Sequence, residues 1–333
     1  MKSDNNRREP VSWRRAMAAA MVVAGALCAA QVQAQVPARF YWKTLSGATA
    51  VPLVFQSVGG NTNPFDPAGK VLPDGNIGAT MSLVGYGKFL PLFDRAAMIA
   101  VMVPMGRMSG ELTVAGNTVT EAASGFGDPM IELAVNIVGP PPQLNIPDAM
   151  RYEPGFSLDL LADLAVPLGE YDTDKPLNIG QNCWYGRLGA PVVWQLGAWV
   201  PGRRTTVELL PAVWMFGDND DFVGRTLQTD PLFQLDVHLT RDLTESFWSS
   251  LDGSWYSGGQ ASIDGVEGEK LDNMGVGLTL GYQVNQNMGL TFGYKSSLND
   301  DEPTDLRMDN FMISLVYGWH KLVEGMNRLK GGE

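Results

Sequence analysis

The strongest constraint on the fold of this chain is an alternation of apolar and small or polar residues with period two. In residues 276–282, Val, Leu, Leu and Tyr alternate with Gly and Thr. The same alternation runs through residues 131–137, 233–240 and 311–319. Because successive side chains of a strand point to opposite faces, strict alternation of this length predicts a strand with one apolar face.

Twelve such segments follow one another along the chain. Most are about 9 to 14 residues long, whereas globular strands average roughly five or six and a tilted membrane strand needs about 9 to 11. The length and the even number predict an all-β fold, a transmembrane antiparallel up-and-down β-barrel of about 12 strands. The predicted strands are residues 49–57, 76–89, 95–107, 128–139, 152–167, 183–197, 204–217, 230–241, 246–258, 273–285, 287–298 and 308–319.

The connections between these segments alternate in length. Odd-numbered connections are long and even-numbered ones are short, apart from the fourth, residues 140–151. Bacterial barrels have long extracellular loops and short periplasmic turns, so this parity predicts that both termini lie in the periplasm. The long loops are acidic, which is typical of a solvated surface; outside the cell they could also bind divalent ions that bridge lipopolysaccharide.

Aromatic residues cluster near the predicted strand ends. Rings at the two membrane interfaces form the girdles of a barrel, whereas in a soluble β-sandwich the same rings would belong to the core. A sandwich would need a second sheet to cover so many long apolar faces, which favours the barrel. These residues are Trp184, Trp194, Trp199, Trp214, Trp248, Trp255, Tyr317 and Trp319.

The N-terminus has the layout of a secretory signal peptide. Four arginines precede an apolar run, residues 16–30, and Val32-Gln33-Ala34 fits a cleavage site for residues 1–34. The alternative is a membrane anchor, but a spanning helix needs about 20 apolar residues, more than this run supplies. No later stretch is long and apolar enough for a transmembrane helix, which leaves an outer-membrane barrel, a periplasmic protein or a secreted one.

Charge and cysteine content exclude several function classes. The whole chain has 24 Lys and Arg against 36 Asp and Glu; removing residues 1–34 takes away five basic and two acidic residues and leaves a net charge of −15. Such a chain lacks the basic face that nucleic-acid binding needs. Cys183 is the only cysteine after the signal, so we expect a packing residue rather than a nucleophile. Two histidines and one cysteine predict no metal or other cofactor.

The strand register predicts which charged residues face the interior of the barrel. Six carboxylates against two basic residues would give a negative lumen, in which some pairing with Arg187 or Lys295 is expected. The interior is then either a polar pathway with acidic selectivity or a plugged structure held by hydrated ion pairs. The predicted lumen-lining residues are Glu132, Asp159, Asp163, Arg187, Glu208, Asp236, His238, Asp252 and Lys295.

His238 is the only histidine within a predicted strand, and some barrel hydrolases use a histidine. Asp236 and Thr240 lie on the same face, but no serine does at that spacing. A nucleophile, base and orienting group cannot be assembled from the local sequence. We therefore expect no catalytic residues and no enzyme, and an inward Ser or Asp within reach of His238 would favour the opposite view.

Two segments carry a family resemblance. GFGDP opens the fourth predicted strand, and VPLGEYD followed by LNIGQN comes after the fifth. With DNDD at 218–221 and YSGG at 256–259, they resemble the MetA-pathway of phenol degradation family of transporter-like outer-membrane proteins, over about residues 38–319. The resemblance implies a monomeric-type barrel linked to uptake of aromatic or other hydrophobic compounds. The motif positions are Gly125, Gly127, Asp128, Pro129, Pro167, Gly169, Tyr171, Asp172, Asn178, Gly180 and Asn182.

Three segments outside the predicted strands have their own expectations. Residues 35–48 form a periplasmic or plug segment, in which 37–46 is either a short helix at the rim or an insertion into the lumen. The loop 108–127 could fold inward as a constriction. Residues 320–333 form a polar tail after Trp319, where a barrel commonly ends on an aromatic residue.

The preferred function is a channel or transporter in the bacterial outer membrane for small hydrophobic or aromatic molecules. It would show a continuous pathway or a lateral opening between strands, lined partly by apolar residues. The alternatives are a barrel enzyme acting on lipid or peptide, and a structural or surface-binding barrel without transport. Expected partners are outer-membrane lipid and lipopolysaccharide, a small-molecule solute and, during insertion, the barrel-assembly machinery.

Overall fold

A computed structural model describes residues 36–72, 75–114, 117–298 and 305–330. The predicted signal peptide, residues 1–34, lies outside the described residues. The strands are β1 (Thr49–Gly60), β2 (Asn76–Leu92), β3 (Arg95–Val114), β4 (Asn117–Phe126), β5 (Met130–Val138), β6 (Phe156–Ala165), β7 (Tyr185–Gly189), β8 (Val192–Gln195), β9 (Thr205–Phe216), β10 (Asn219–Phe222), β11 (Arg225–Thr229), β12 (Leu232–Asp242), β13 (Phe247–Gly258), β14 (Ala261–Ile263), β15 (Val266–Glu267), β16 (Leu271–Asn285), β17 (Met288–Ser297) and β18 (Met308–Trp319).

Twelve barrel strands close into a ring, as the alternation predicts. β4 with β5, and β7 with β8, each form one barrel strand in two pieces, and neighbours pair antiparallel around the ring. β1 pairs with β18 along its whole length, from Thr49 opposite Trp319 to Gly60 opposite Met308. We call the edge at Thr49 and Trp319 the terminal end and the opposite edge the loop end.

The inward and outward faces follow the sequence parity. In β1, Val54, Gln56 and Val58 are buried, whereas Leu53 and Phe55 between them are 44% and 48% exposed. The same exposed apolar face continues around the wall, where lipid tails would solvate it. Its members include Ile99, Val101, Ile131, Leu133, Leu160, Leu164, Leu188, Leu251, Leu278, Phe292, Phe311 and Ile313.

Residues 108–114 and 117–126 form strands rather than a loop, so the expected constriction is wrong. β3 continues to Val114, and β4 pairs with it from Asn117 opposite Val114 to Phe126 opposite Met105. The Gly, Ser and Thr that suggested a loop lie on a hairpin that extends the barrel at the loop end. A part of the wall that extends beyond the membrane does not need an apolar outer face. The apolar alternation is therefore lost there while the backbone ladder continues.

Other departures from the predicted strands are local. Barrel strand six is interrupted at Ala190 and Pro191, because proline cannot donate to a ladder. The loops after β9 and β13 form a separate four-stranded sheet of β10, β11, β14 and β15. Two helices lie in the fourth connection and the tail: α1 (Ile146–Arg151) and α2 (Lys321–Lys330). No described helix is long and apolar enough to span a membrane.

The aromatic girdle is smaller than expected. Trp184 and Trp194 are each 53% exposed and Tyr317 is 50% exposed, as a girdle requires. Trp214 is only 9% exposed and faces the interior, because it shares its parity on β9 with the inward Glu208. Trp248 lines the interior cavity, and Trp199 stacks on Trp42 with ring centroids 4.7 Å apart.

Candidate functional site

The interior of the barrel holds a cavity of about 640 Å³. One side of its wall is apolar and is formed by inward residues of β1, β2, β3, β5 and β18. Six methionines line it, and we call them the methionine sector: Met81, Met98, Met102, Met130, Met308 and Met312. Unbranched thioether side chains adapt to ligands of different shape and make favourable contacts with aromatic rings.

The opposite wall is polar, and the structure places all nine predicted lumen residues inside the barrel. Each is at most 6% exposed: Glu132, Asp159, Asp163, Arg187, Glu208, Asp236, His238, Asp252 and Lys295. Of these nine, Glu132 and Arg187 line the cavity itself. Six of the others lie within hydrogen-bonded networks along the wall, whereas Lys295 Nζ has no hydrogen-bond partner among the described residues.

Arg187 organises the first of these networks. Its Nε lies 2.5 Å from Asp163 Oδ2, and its Nη2 lies 3.8 Å from Glu132 Oε2. The guanidinium also stacks over Trp214, 4.9 Å from the ring centroid, and Trp214 Nε1 donates to Gln234 Oε1 at 2.7 Å. A planar guanidinium suits this place because it pairs with carboxylates and stacks on a ring at the same time.

A second network surrounds Asp252. His238 Nδ1 lies 2.7 Å from Asp252 Oδ1, and Ser250 donates to the same oxygen at 2.6 Å. Lys295 lies across β16 from Asp252, since both pair with Gly277. A Cβ at Gly277 would stand 2.7 Å from Lys295 Cγ and 3.4 Å from Asp252 Cβ. Glycine at this position therefore leaves room for both side chains on the inner face of β16.

The N-terminal segment, residues 36–48, lies inside the barrel at the terminal end. Residues 38–41 form a turn rather than a helix. The backbone N–H of Arg39 donates to Glu208 Oε2 at 2.7 Å, and Trp42 Nε1 donates to Glu208 Oε1 at 2.8 Å. Lys43 pairs with Asp159. The segment thus supplies partners for two predicted lumen carboxylates.

Asp242 ties this segment to the wall. Arg39 Nη1 lies 2.7 Å from Asp242 Oδ1, and Arg204 Nε lies 2.7 Å from Oδ2. The Arg39 guanidinium also stacks between two indoles, 4.2 Å from the centroid of Trp42 and 4.4 Å from that of Trp248. Such a buried, doubly paired carboxylate is held firmly, since removing one partner leaves an unpaired charge.

Sequence reasoning missed Arg39, Lys43, Arg204 and Asp242. The first two lie outside any strand, so the alternation gives them no inward direction. Asp242 has the inward parity of Asp236 and His238, but the predicted strand ended one residue earlier. The charge balance could have indicated them, because six inward carboxylates with only two inward basic residues require cations from elsewhere in the chain.

The loop end of the cavity is covered by apolar side chains from the loops. Phe65, Leu177 and Ile179 pack with inward residues of the barrel, among them Val58, Met81 and Met308. Phe65 and Ile179 also line the cavity. The cavity therefore lies between the N-terminal segment at one end and these loop residues at the other.

The motif residues hold those loops in place, and we call residues 125–129 and 167–182 the motif cluster. Asp128 accepts from the Gly169 N–H with Oδ1 and from the Gln181 N–H with Oδ2, both at 2.8 Å. A Cβ at Gly169 would stand 2.8 Å from the Gly180 Cα, so two chain segments touch where only glycine fits.

The remaining motif side chains extend the same cluster outward. Asn178 accepts from the Asp172 N–H at 2.7 Å, and Asn182 donates to Asn219 at 3.0 Å. Asn219 in turn donates to the Tyr171 hydroxyl at 2.8 Å. These contacts join the loops after β6 and β9, and Tyr171, Asp172 and Asn178 also line a second cavity of about 1180 Å³ at the loop end.

Cys183 stands beside this cluster and is half-buried. Burial raises the pKa of its thiol to about 11. The thiol therefore stays protonated at neutral pH, where only a thiolate would act as a nucleophile. It packs next to the aromatic cluster of Tyr185, Trp214 and Tyr256.

Together, the closed ring, the apolar outer face and the interior cavity define an outer-membrane-type β-barrel whose cavity is apolar on one side and polar on the other. The chain belongs to the family described as "Putative MetA-pathway of phenol degradation", whose model matches residues 44–315. No curated protein sequence matches the chain significantly.

Two solved structures are similar to the chain, and the one with the higher TM-score shares its fold. The COG4313 outer membrane channel from Pseudomonas putida F1 superposes with a TM-score of 0.69 at 19% identity, covering 86% of this chain and 100% of that one. The translocator domain of the autotransporter NalP from Neisseria meningitidis gives a TM-score of 0.48 at 12% identity, covering 92% and 98%. At these identities the likeness concerns the fold.

Proposed function

We propose that the chain is an outer-membrane transporter that passes small hydrophobic or aromatic molecules through its central cavity. The observation that carries this proposal is the cavity of about 640 Å³ with its methionine sector. A dry apolar cavity of roughly 150 Å³ is enough to bind benzene, so this one has room for larger ring systems. Both the family and the outer-membrane channel fold agree with such a role.

The route follows from what bounds the cavity. Residues 36–48 act as a plug at the terminal end, where Phe40 and Trp42 line the cavity, and the loops cover the loop end. The cavity also reaches the wall at Pro104, where the pairing of β3 passes from β5 to β4. A molecule leaves either past the plug or sideways at this point, once the contact in which the Gly127 N–H donates to the Pro104 carbonyl at 2.8 Å has opened.

A hydrolase is not part of this proposal. The inward Asp252 does lie within reach of His238, at 2.7 Å from Nδ1, which is the feature expected of a barrel enzyme, but the neighbouring Ser250 donates its hydroxyl to Asp252 and not to His238. A serine nucleophile must donate its hydroxyl hydrogen bond to the histidine base. Among the described residues, Ser250 does not make that hydrogen bond. The arrangement fits a buried structural network.

The other parts of the chain fit a protein that is exported and inserted into the outer membrane. Residues 1–34 serve as the export signal, the barrel occupies residues 49–319, and both termini face the periplasm. The apolar outer face contacts lipid and lipopolysaccharide after insertion by the barrel-assembly machinery. Residues 320–333 are a periplasmic tail.

Uptake through a lipopolysaccharide leaflet tests the proposal, because that leaflet slows the passage of hydrophobic molecules. Vesicles with lipopolysaccharide outside and phospholipid inside would carry the purified protein, and entry of a fluorescent aromatic probe would be followed. Wild type should speed entry well above protein-free vesicles. Ala100→Trp, which fills the cavity from β3, should return the rate to nearly that of protein-free vesicles.

The matched control is the next residue on the same strand. Ala100 is buried and lines the cavity, whereas Val101 is 43% exposed on the lipid face. Val101→Trp adds the same ring outside the cavity and should leave uptake close to wild type. Equal uptake by wild type and Ala100→Trp would show that the cavity is not the route.

A further inference from the structure

Glu132 is a buried carboxylate whose hydrogen bonding is incomplete. It is 1% exposed and lines the central cavity, and its Oε1 has no hydrogen-bond partner among the described residues. An unsatisfied acceptor in a low-dielectric interior costs free energy, so such a group in a binding cavity points to a missing partner.

The charges around Glu132 have the same implication. Glu132 and Asp163 are cross-strand partners on β5 and β6, and both face Arg187. Arg187 is closer to Asp163, at 2.5 Å, than to Glu132, at 3.8 Å. One guanidinium cannot neutralise two carboxylates, and the nearer one takes most of its attraction. Glu132 Oε1 and Asp163 Oδ1 are both without a hydrogen-bond partner among the described residues, and of the two residues only Glu132 lines the cavity, where a further donor can reach it.

The surroundings of Glu132 indicate what kind of molecule would bring that donor. On its other side Glu132 pairs with Ala100 of β3, between the positions of Met98 and Met102. It therefore stands on the border between the methionine sector and the polar wall. The small Ala100 side chain leaves space in front of the carboxylate, and the methionines beside it favour a ring.

We propose that Glu132 and the methionine sector form an oriented binding site for small aromatic molecules that carry a hydroxyl or amino donor. This inference deepens the proposed transport function and rests on it. The ring packs on Met98 and Met102, and the donor hydrogen bonds to Glu132 Oε1. The site thereby prefers donor-bearing aromatics over donor-free ones of the same size.

Three probes separate these features: phenol, toluene and anisole. Phenol and toluene differ by a hydroxyl against a methyl group, and anisole keeps the oxygen but not the donor. Calorimetric titration of the protein in amphipols, with empty amphipols as the blank, would give each affinity. Wild type should prefer phenol by about two- to tenfold, the range of one ordinary hydrogen bond.

Two substitutions locate the preference. Glu132→Met keeps the length of the side chain and leaves Arg187 with Asp163 as a one-to-one pair, so the barrel should remain folded. It should abolish the preference for phenol while toluene binding persists. Glu132→Gln retains a carbonyl acceptor and should keep part of the preference. Glu111→Met removes an exposed carboxylate from the neighbouring strand β3 and should change nothing.

The outcomes distinguish the two proposals. If Glu132→Met binds phenol as wild type does, the two carboxyls satisfy each other by sharing a proton, and the inference is wrong. Equal affinity of wild type for phenol and toluene also overturns it, but leaves transport of aromatics standing. Binding of none of the three probes would count against both.

Discussion

At the residue scale, Asp128 shows how one motif side chain can hold a loop. It is 3% exposed, and its two oxygens accept from two backbone N–H groups on different turns of the motif cluster. A carboxylate is suited to this task because both of its oxygens accept. An amide of the same shape has one acceptor and one donor, so one N–H would face another donor.

Asp128→Asn should therefore lower the free energy of unfolding by about 1–3 kcal/mol, the cost of an unsatisfied buried hydrogen-bonding group. Urea unfolding in detergent, followed by tryptophan fluorescence, would measure it. Asp174→Asn changes an exposed carboxylate in the other loop of the motif cluster and serves as the control. A stability equal to that of wild type would mean that the motif cluster does not depend on this double contact.

The sequence predicted which side chains point into the barrel better than it predicted the residues that pair with them. Parity along β5, β6 and β12 was enough to place Glu132, Asp163 and Asp236 inside. It could not reveal that Arg39 and Lys43 reach the same lumen, because a segment without regular structure has no parity. Nor could the motif spacing tell a scaffold from a binding site, since that depends on contacts between distant loops.

At the element scale, the N-terminal segment is held by a few strong contacts rather than by a ladder. Arg39 and Arg204 share the Asp242 carboxylate, and Arg39 is stacked between two indoles. Breaking a buried ion pair by removing one charge costs about 3–5 kcal/mol.

We expect Asp242→Asn to loosen the segment. Trypsin cleaves after arginine and lysine, so its rate at Arg39 and Lys43 in the folded protein reports how often the segment leaves the lumen. The rate should rise at least tenfold over wild type, since about 1.4 kcal/mol already corresponds to a factor of ten. The bands would be identified by mass spectrometry.

The control for this experiment lies on the same end of the barrel. Asp94→Asn removes an exposed carboxylate from the turn between β2 and β3, where asparagine tolerates the left-handed backbone with φ near 58°. It should leave the cleavage rate unchanged. If Asp242→Asn also cleaves like wild type, Glu208 and Asp159 alone secure the segment.

At the scale of the whole molecule, the segment also sets the charge of the lumen. With the segment in place, Arg39 and Lys43 accompany Asp242 and Asp159, and Glu208 accepts from Trp42. Without it, the terminal end of the lumen presents three carboxylates against Arg204. Carboxylates lining a narrow pore attract cations and repel anions, so we expect this segment to affect both the conductance of the pore and which ions enter it.

Deletion of residues 36–46, with the cleavage site retained, should therefore open a cation-selective pore. In planar bilayers the deletion variant should conduct more than wild type, and its reversal potential in a salt gradient should indicate preference for the cation. Adding Asp242→Asn and Glu208→Gln to the deletion should reduce that preference, because two of the three carboxylates lose their charge, while the larger conductance remains. A deletion variant that conducts no better than wild type would place the barrier at the loop end, under Phe65 and Ile179; an anion-selective one would show that Arg204 and Arg187 dominate the field.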